Sequence, residues 1–199
     1  YSNFLHGQLG LYGYFVLLAD KFLNQNGIAG FVLPATILRV RSTAGLRRFL
    51  IENYAFRYVI TTWQRAAFSE GAQFREILLV IEKTIGQTKP CVVATLNKIP
   101  KDFHESKTVA EILKKFHSDD SKEDCEDEWL SAFKISKEEL AANVTNLFSI
   151  VAFRNQRLMR IWRRATKVGF NKLVSLEDYL KTAKSRIIGG IGVTGSQKE

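Results

Sequence analysis

Apolar and polar positions along the first 118 residues alternate between helical and strand-like spacing. Apolar side chains recur at helical spacing over residues 11–24, and Asn26-Gly27 predicts the end of that helix. The segment IAGFVLP, residues 28–34, is short and continuously apolar, which is typical of a central, buried parallel strand. A second amphipathic pattern predicts a helix over residues 42–54.

The pattern continues with two strand-like runs at 56–63 and 74–84, joined by a glycine-containing loop that is too long for a tight hairpin turn. A further strand is predicted at 91–99 and a helix at 106–118. This alternation predicts an α/β fold with a partial Rossmann-like sheet, in which parallel strands are followed by a terminal antiparallel strand, residues 74–84. A mainly helical extension is expected after the sheet.

The composition changes near residue 118 and predicts three regions. The run SDDSKEDCEDE, residues 118–128, contains seven acidic residues and one lysine, which is typical of a solvated loop. We therefore expect an α/β domain over 1–117, an acidic linker over 118–136 and a helical connector over 137–199. Residues 137–168 are predicted to be helical. Their second half has an apolar arc opposite a basic arc, which comprises Arg157, Arg160, Arg163, Arg164 and Lys167.

The net charge and the two cysteines limit which binding partners and which cellular compartment are expected. The net charge is +9, from 29 Lys and Arg against 20 Asp and Glu, which indicates either a polyanionic partner or a solubility role. Cys91 and Cys125 lie far apart without metal-ligand spacing, so neither a disulfide framework nor a metal site is expected, and a reducing cytoplasm fits best. No apolar run is long enough for a membrane span.

Candidate chemistry is limited to one edge of the predicted sheet. There is no G-x-G-x-x-G, Walker, G-x-S-x-G or paired-histidine motif, and therefore no complete catalytic set. Ligands of α/β sheets bind at the carboxyl ends of the strands. Pro34-Ala35-Thr36 and the loop with Phe68 are expected at that edge, although Pro34 equally suits a strand terminator and Thr36 a helix cap.

Several segments between Leu11 and Lys83 resemble one enzyme family in order and spacing. They are LYGYFVLLADKFLNQNGIAGFVLPATIL, LRRFLIENY and FRYVITTWQRAAFSEGAQFREILLVIEK. Together they resemble the adenine-N6 DNA methyltransferases of type I and type IIG restriction–modification systems, whose active-site tetrapeptide is Asn-Pro-Pro-Tyr or Asn-Pro-Pro-Phe. KISKEELAANV and RIIGGIGVTG are more loosely similar to segments that lead towards a target-recognition region.

The resemblance implies roles for four residues. Phe15 matches an aromatic position that packs against the adenine of S-adenosylmethionine, and Phe68 matches a loop phenylalanine that stacks on the flipped target adenine. Pro34 and Thr36 are then expected on the lip of the pocket. From the pattern alone, Phe15 is better explained as a core helix residue, and Phe68 is equally well explained as an ordinary loop aromatic.

Parts of the family pattern are absent from this sequence. The glycine-rich cofactor motif, the acidic ribose-binding residue and the Asn-Pro-Pro-aromatic tetrapeptide do not occur, although Tyr1 is a candidate for the last residue of that tetrapeptide. The resemblance therefore implies the C-terminal half of a catalytic domain, with no catalytic residue of its own. Its expected partners are double-stranded DNA, the missing N-terminal half and a specificity region or subunit.

A second hypothesis rests on the basic helix. Arg157, Arg160, Arg164 and Lys167 are expected to contact DNA phosphates, or else to form an exposed face over the core. On this reading the chain is a non-catalytic nucleic-acid-binding or subunit-docking module. A glycine-rich motif and an Asn-Pro-Pro-aromatic tetrapeptide upstream in the gene product would distinguish the two.

Overall fold

The computed structural model describes residues 1, 4, 9–62, 68–69, 71–72, 74–84, 89–151 and 156–169, without the side chains of 156, 157 and 166–169. The chain divides into two compact units, Tyr1–Met159 and Arg160–Glu199. The first unit contains the whole sheet. The glycine-rich sequence at 189–195 lies outside the described residues.

Helices and strands alternate through the first half of the chain, and shorter elements follow. The α-helices are α1 Leu11–Phe22, α2 Ala44–Asn53, α3 Phe103–Ser118, α4 Lys137–Ala142, α5 Phe148–Val151 and α6 Gln156–Gly169. Two 3₁₀ helices, Ala35–Leu38 and Arg41–Thr43, precede α2. The strands are β1 Ile28–Pro34, β2 Ala55–Thr62, β3 Glu76–Glu82, β4 Cys91–Leu96, β5 Asp124–Glu126 and β6 Leu130–Ile135.

The strands form one sheet in the order β1-β3-β2-β4-β6-β5. β3 is antiparallel to both β1 and β2, so these two strands run in the same direction. β2 is parallel to β4, whereas β6 is antiparallel to β4 and to β5. The antiparallel orientation predicted for residues 74–84 is confirmed, but the expectation of a mainly parallel sheet is wrong, because β3 and β6 run against their neighbours.

The first strand occupies a different place from the predicted one. β1 pairs with β3 at the edge of the sheet rather than at its centre, and Ile28 and Val32 are exposed on one side of it. β4 is the strand whose residues are all buried. A continuous apolar run does not distinguish a central strand from an edge strand, since an edge strand that another surface covers has the same apolar sequence pattern.

Side chains alternate across the sheet and build two hydrophobic clusters. Val93 of β4 belongs to a cluster with residues of α1, α2, α4 and α5, and this side is called the α2 face. Val92 and Ala94 point the opposite way, into a cluster with α3, and this side is called the α3 face. Asp102 caps α3 by accepting a hydrogen bond from the Glu105 N–H at 2.8 Å.

The predicted acidic linker contains two strands of the sheet. Within residues 118–136, β5 and β6 pair with each other, and β6 also pairs with β4. The acidic residues concentrate around the turn between them, where the Asp127 carboxylate accepts hydrogen bonds from the N–H groups of Trp129 at 2.7 Å and Leu130 at 2.9 Å. The solvated loop predicted over residues 118–128 is therefore wrong at β5, and the linker predicted over 118–136 also contains β6. The continuous helix predicted over 137–168 is also wrong, because α4 ends at Ala142 and α5 begins only at Phe148.

A buried arginine joins the helical segment to the sheet. Arg47 of α2 is 1% exposed. Its guanidinium donates to the carbonyls of Val144 at 2.6 Å and Thr145 at 2.7 Å, between α4 and α5. It also donates to the Ile37 and Val40 carbonyls at 2.7 and 2.9 Å and to the Thr43 hydroxyl at 2.7 Å. Arg47 thus ties two loops together without a carboxylate partner.

Candidate functional site

The carboxyl ends of β1 and β2 meet at an open cavity, as the sequence predicts for a ligand site. Pro34 pairs with Glu76, so the end of β1, the start of β3 and the end of β2 lie at one edge of the sheet. The cavity comprises about 620 Å³ of empty space, part of which is open to solvent. It is lined by Ala35, Thr61, Thr62, Arg75, Glu76, Ile77, Phe148 and Val151.

A second cavity of about 790 Å³ shares part of this wall. It is lined by Ala35, Thr36, Arg39, Phe74, Arg75 and Phe148. Because Ala35, Arg75 and Phe148 line both, we treat the two cavities as one cleft and call it the carboxyl-edge cleft. Thr36 is a lining residue of this cleft, whereas Pro34 ends β1 directly beside it.

Phe68 lies near the cleft through its backbone but packs elsewhere through its ring. The Phe68 and Ser69 N–H groups donate to Oε2 of Glu76 at 3.3 and 2.9 Å, and Glu76 lines the cleft. The half-buried Phe68 side chain packs against the cluster on the α3 face. Ile77 and Val151 belong to the α2 face, so the structure separates the Phe68 ring from this wall of the cleft.

Phe15 lies in an exposed apolar stripe on α1. It is 65% exposed, so its interpretation as a core helix residue is wrong. The same stripe contains three more exposed side chains, Leu11, Leu18 and Phe22, while Val16 and Leu17 face the core. Gly13 also faces the core, where an added Cβ would lie 2.5 Å from Leu9 Cγ. We call these four side chains, together with the free outer edge of β1, the α1/β1 face; Ile28 and Val32 are exposed on the opposite side of that strand, because Ala29, Phe31 and Leu33 pack with the α2 face.

Tyr1 lies at the opposite edge of the sheet from the cleft. Its hydroxyl donates to Asp20 Oδ2 at 2.6 Å. Tyr54, just before β2, donates to Asp20 Oδ1, and the Lys83 ammonium, just after β3, lies 3.0 Å from the same oxygen. These residues mark the amino end of β2, so Tyr1 shares no wall with Pro34 and Thr36.

The Asp20 carboxylate is kept charged by its donors. Partial burial raises the pKa of Asp20, but hydrogen bonds from Tyr1, Tyr54 and Lys83 outweigh this and hold that pKa below its usual value. The same contact with Asp20, with a smaller effect of burial, raises the pKa of Tyr1 to about 12. The arrangement suits a structural anchor for the end of α1, because neither group titrates near neutral pH.

The basic helix α6 presents some of the predicted cations to solvent. Arg160 and Arg164 are exposed on it, and so are the apolar side chains of Ile161 and Trp162. Arg157 and Lys167 lie within the helix, but their side chains are outside the described part. The helix is therefore amphipathic as predicted, and contact with phosphate stays a prediction.

Most cleft residues were missed by sequence reasoning, among them two arginines and two phenylalanines. Arg39, Phe74, Arg75 and Phe148 carry no motif. The signal for two of them is positional, since Arg39 follows the end of β1 and Arg75 directly precedes β3. Among the described residues, no group of three or more His, Cys, Asp or Glu side chains forms a metal-binding cluster. Over the same residues, every helix is too short or too polar to cross a membrane.

Comparison with known proteins identifies similar sequences and folds. Residues 1–68 match the family model of the Eco57I restriction-modification methylase, which over that part confirms the coarser resemblance to restriction–modification methylases. No curated protein matches the chain. The fold is similar to the type IIG restriction endonuclease BpuSI, with a TM-score of 0.57 and 20% identity, covering 79% of this chain and 18% of that one.

A second solved structure, from a type I restriction–modification system studied for complex assembly and conformational transition, gives the same TM-score of 0.57. Its identity is 16%, over 90% of this chain and 41% of the other. The chain therefore spans 18% and 41% of the lengths of these two structures. Both similarities are to proteins of restriction–modification systems.

Proposed function

We propose that this chain forms part of a DNA methyltransferase of a restriction–modification system. The parent reaction is transfer of the methyl group of S-adenosylmethionine to the N6 amino group of a flipped adenine. The match of residues 1–68 to a restriction-modification methylase supports this, as does the likeness of the fold to two such systems. Adenine as the target base rests on the resemblance of the segments between Leu11 and Lys83.

The observation that carries the proposal is the unpartnered α1/β1 face. Leu11 and Phe22 are each 78% exposed, and Phe15 follows at 65%. The outer edge of β1 has no strand paired with it in the described structure. Exposed apolar side chains and an open strand edge are features of a surface that another chain segment covers.

We assign that cover to the rest of the methyltransferase domain. The chain matches only 18% and 41% of its structural neighbours, so the neighbours contain much more protein than this unit. A strand added beside β1 would satisfy its free backbone groups and bury Ile28 and Val32. Burial of exposed apolar area contributes roughly 25 cal/mol per Å², so this face is suited to a permanent contact.

Individual roles follow from the proposed reaction. Phe15, on the α1/β1 face, would contact the adenine of S-adenosylmethionine once the covering half brings the cofactor there. Phe68 would stack on the flipped adenine after its loop turns away from the α3 face, and such stacking is worth about 1–3 kcal/mol. Pro34 and Thr36 form the lip at the carboxyl edge.

The test compares this chain with the polypeptide encoded by the whole gene. Methyl transfer from radiolabelled S-adenosylmethionine to duplex DNA is measured for both, and the product base is identified by mass spectrometry. The whole polypeptide should yield N6-methyladenine and the isolated chain none. Titration calorimetry should likewise detect no micromolar binding of S-adenosylmethionine to the chain alone. Methylated cytosine, or no methylation by the whole polypeptide, would refute the proposal.

A matched pair of variants examines Phe68 within the same assay. Phe68→Ala in the whole polypeptide should lower the rate of methyl transfer, whereas Phe103→Ala, at an exposed phenylalanine on α3, should leave it unchanged. Equal rates for the two variants would remove Phe68 from the base-stacking role while leaving the proposed reaction intact.

The alternative function is a non-catalytic module that binds DNA or docks a subunit. The exposed Arg160 and Arg164 on α6 favour it, because cations in one helical row suit a phosphate backbone. Charge reversal at both residues should then weaken retention on DNA, and unchanged retention would exclude this use of α6. Absence of an upstream glycine-rich motif and Asn-Pro-Pro-aromatic tetrapeptide from the gene would favour this alternative over catalysis.

A further inference from the structure

Two arginines line the carboxyl-edge cleft, and one of them is held in place by an aromatic ring. Arg39 and Arg75 are exposed and line the second cavity. The Arg39 guanidinium carbon lies 5.3 Å from the centroid of the Phe148 ring, which is cation–π distance. This stacking restricts a long side chain that would otherwise be mobile, so Arg39 would lose less entropy on binding an anion.

The acidic residue of the cleft, Glu76, accepts hydrogen bonds from the backbone. The donors to its Oε2 are the N–H groups of Phe68 and Ser69. Among the residues that line the cleft, Glu76 is the one carboxylate against two guanidinium groups. The lining therefore has a positive balance, and part of the Glu76 charge is already neutralised by backbone donors.

An exposed aromatic ring lies beside these cations. Phe74 is 69% exposed and lines the same cavity as Arg39 and Arg75. It belongs to neither hydrophobic cluster, so packing does not account for it. Cations that follow a phosphate backbone, with an aromatic ring for a base, are the combination used by proteins that hold a single nucleic-acid strand.

We propose that the carboxyl-edge cleft binds a DNA strand next to the target base. Arg39 and Arg75 contact its phosphates, and Phe74 stacks on a base that the extruded strand exposes. This rests on the proposed function and names a part of the DNA contact that the sequence motifs leave unassigned. A strand at this edge would lie beside the loop of Phe68, whose backbone is tied to Glu76.

The test measures binding of the chain to fluorescently labelled duplex and single-stranded 20-mers by anisotropy, from 50 to 200 mM salt. Each phosphate contact contributes about 0.9 to the slope of log affinity against log salt for duplex DNA and about 0.7 for single strands. The double variant Arg39→Gln with Arg75→Gln should therefore lower the slope by about 1.8 for duplex DNA and by about 1.4 for single-stranded DNA. Lys115→Gln, an exposed cation of α3 on the other face, should leave the slope unchanged.

The aromatic contact has its own matched pair. Phe74→Leu should lower affinity for single-stranded DNA by about 5- to 150-fold with no change of salt slope. Phe103→Leu, at a phenylalanine that is 84% exposed on α3, should retain wild-type affinity. Arg39→Lys, which keeps the charge, should retain the slope. Circular dichroism melts check that each variant folds.

Three outcomes would overturn the cleft proposal. They are no DNA binding by the wild-type chain at 50 mM salt, equal slopes for the double arginine variant and Lys115→Gln, and equal affinities for Phe74→Leu and Phe103→Leu. Competition by inorganic phosphate at low millimolar concentration would indicate a site for a free anion and would also overturn it. Methyl transfer by the whole polypeptide is measured separately, so failure here leaves the proposed reaction testable.

Discussion

Replacing the buried Arg47 by methionine should destabilise the first unit and loosen its helical segment. The substitution retains the length of the side chain but removes five donor contacts to two segments, residues 37–43 and 144–145. The Ile37 and Val40 carbonyls would each keep a donor, because the Thr43 hydroxyl lies 3.1 Å from the Ile37 carbonyl and the Thr43 N–H donates to the Val40 carbonyl at 3.1 Å. The Val144 and Thr145 carbonyls would lose the donor that Arg47 provides.

The expected magnitude follows from those two carbonyls. A hydrogen bond from a charged donor contributes about 1.5–3 kcal/mol, so the loss of these two amounts to about 3–6 kcal/mol, with the lower half favoured because Val144 is half-buried and Thr145 is exposed. Removal of a buried cation returns part of this, because burial disfavours the charged guanidinium and lowers the pKa of Arg47. We therefore expect Arg47→Met to reduce the free energy of unfolding by about 3 kcal/mol.

Urea unfolding followed by circular dichroism measures this change, with Arg48→Met as the control. Arg48 is the next residue on α2 and is exposed, so its substitution should alter stability by no more than about 0.5 kcal/mol. Hydrogen exchange adds a local measurement. Amides of α4 and α5 should lose protection in Arg47→Met before those of β4. A loss below about 1 kcal/mol at an unchanged m-value, or uniform loss of protection, would refute the reasoning.

Other predictions concern the anchor at Asp20, the cysteines and the α3 cap. Because the pKa of Asp20 is lowered in the fold, its contribution is present above the unfolded pKa near 3.8 and is lost as pH falls through the lowered value. Asp20→Asn should lower stability at pH 7 by about 1–3 kcal/mol, with the difference from wild type disappearing in acid melts, whereas exposed Asp120→Asn should show neither effect. Cys91 is fully buried and burial raises its pKa, so Ellman's reagent should label Cys125 first and Cys91 only on unfolding; labelling of native Cys91 would contradict its placement. Asp102→Ala should cost about 1 kcal/mol in thermal melts through loss of the α3 cap, and a neutral result would remove that role.

The hydrophobic pattern predicted helices and strands correctly where their apolar residues indicate a single buried face. The helix over α2 and the strands β2, β3 and β4 are where the sequence indicates them. Helix α1 was predicted, but its buried face was not, because LYGYFVLLADKF is apolar on most sides and helical spacing then selects no single face. The pattern therefore does not indicate that Phe15 and Phe22 are exposed while Leu17 faces the core.

The remaining errors concern short segments and contacts between distant ones. β5 and β6 were not predicted, because the acidic composition of the whole segment obscures the apolar pattern of a short strand such as Leu130–Ile135. The carboxyl edge of the sheet was predicted as the place of a site. Its cations and Phe148 were not predicted, since they come together from three separate segments whose proximity depends on tertiary packing.

The position of β3 sets an order of assembly during synthesis. β3 is the last of the first three strands in the chain, yet it lies between β1 and β2, and Glu82 pairs with both Ile28 and Ala55. β1 therefore has no native strand partner until the ribosome has released β3, which at about 5–20 residues per second comes roughly 2–10 s after β1. The apolar strand β1 is exposed to chaperones and to neighbouring nascent chains during that interval. Slow codons before β3 should therefore lower the yield of folded protein more than slow codons after it.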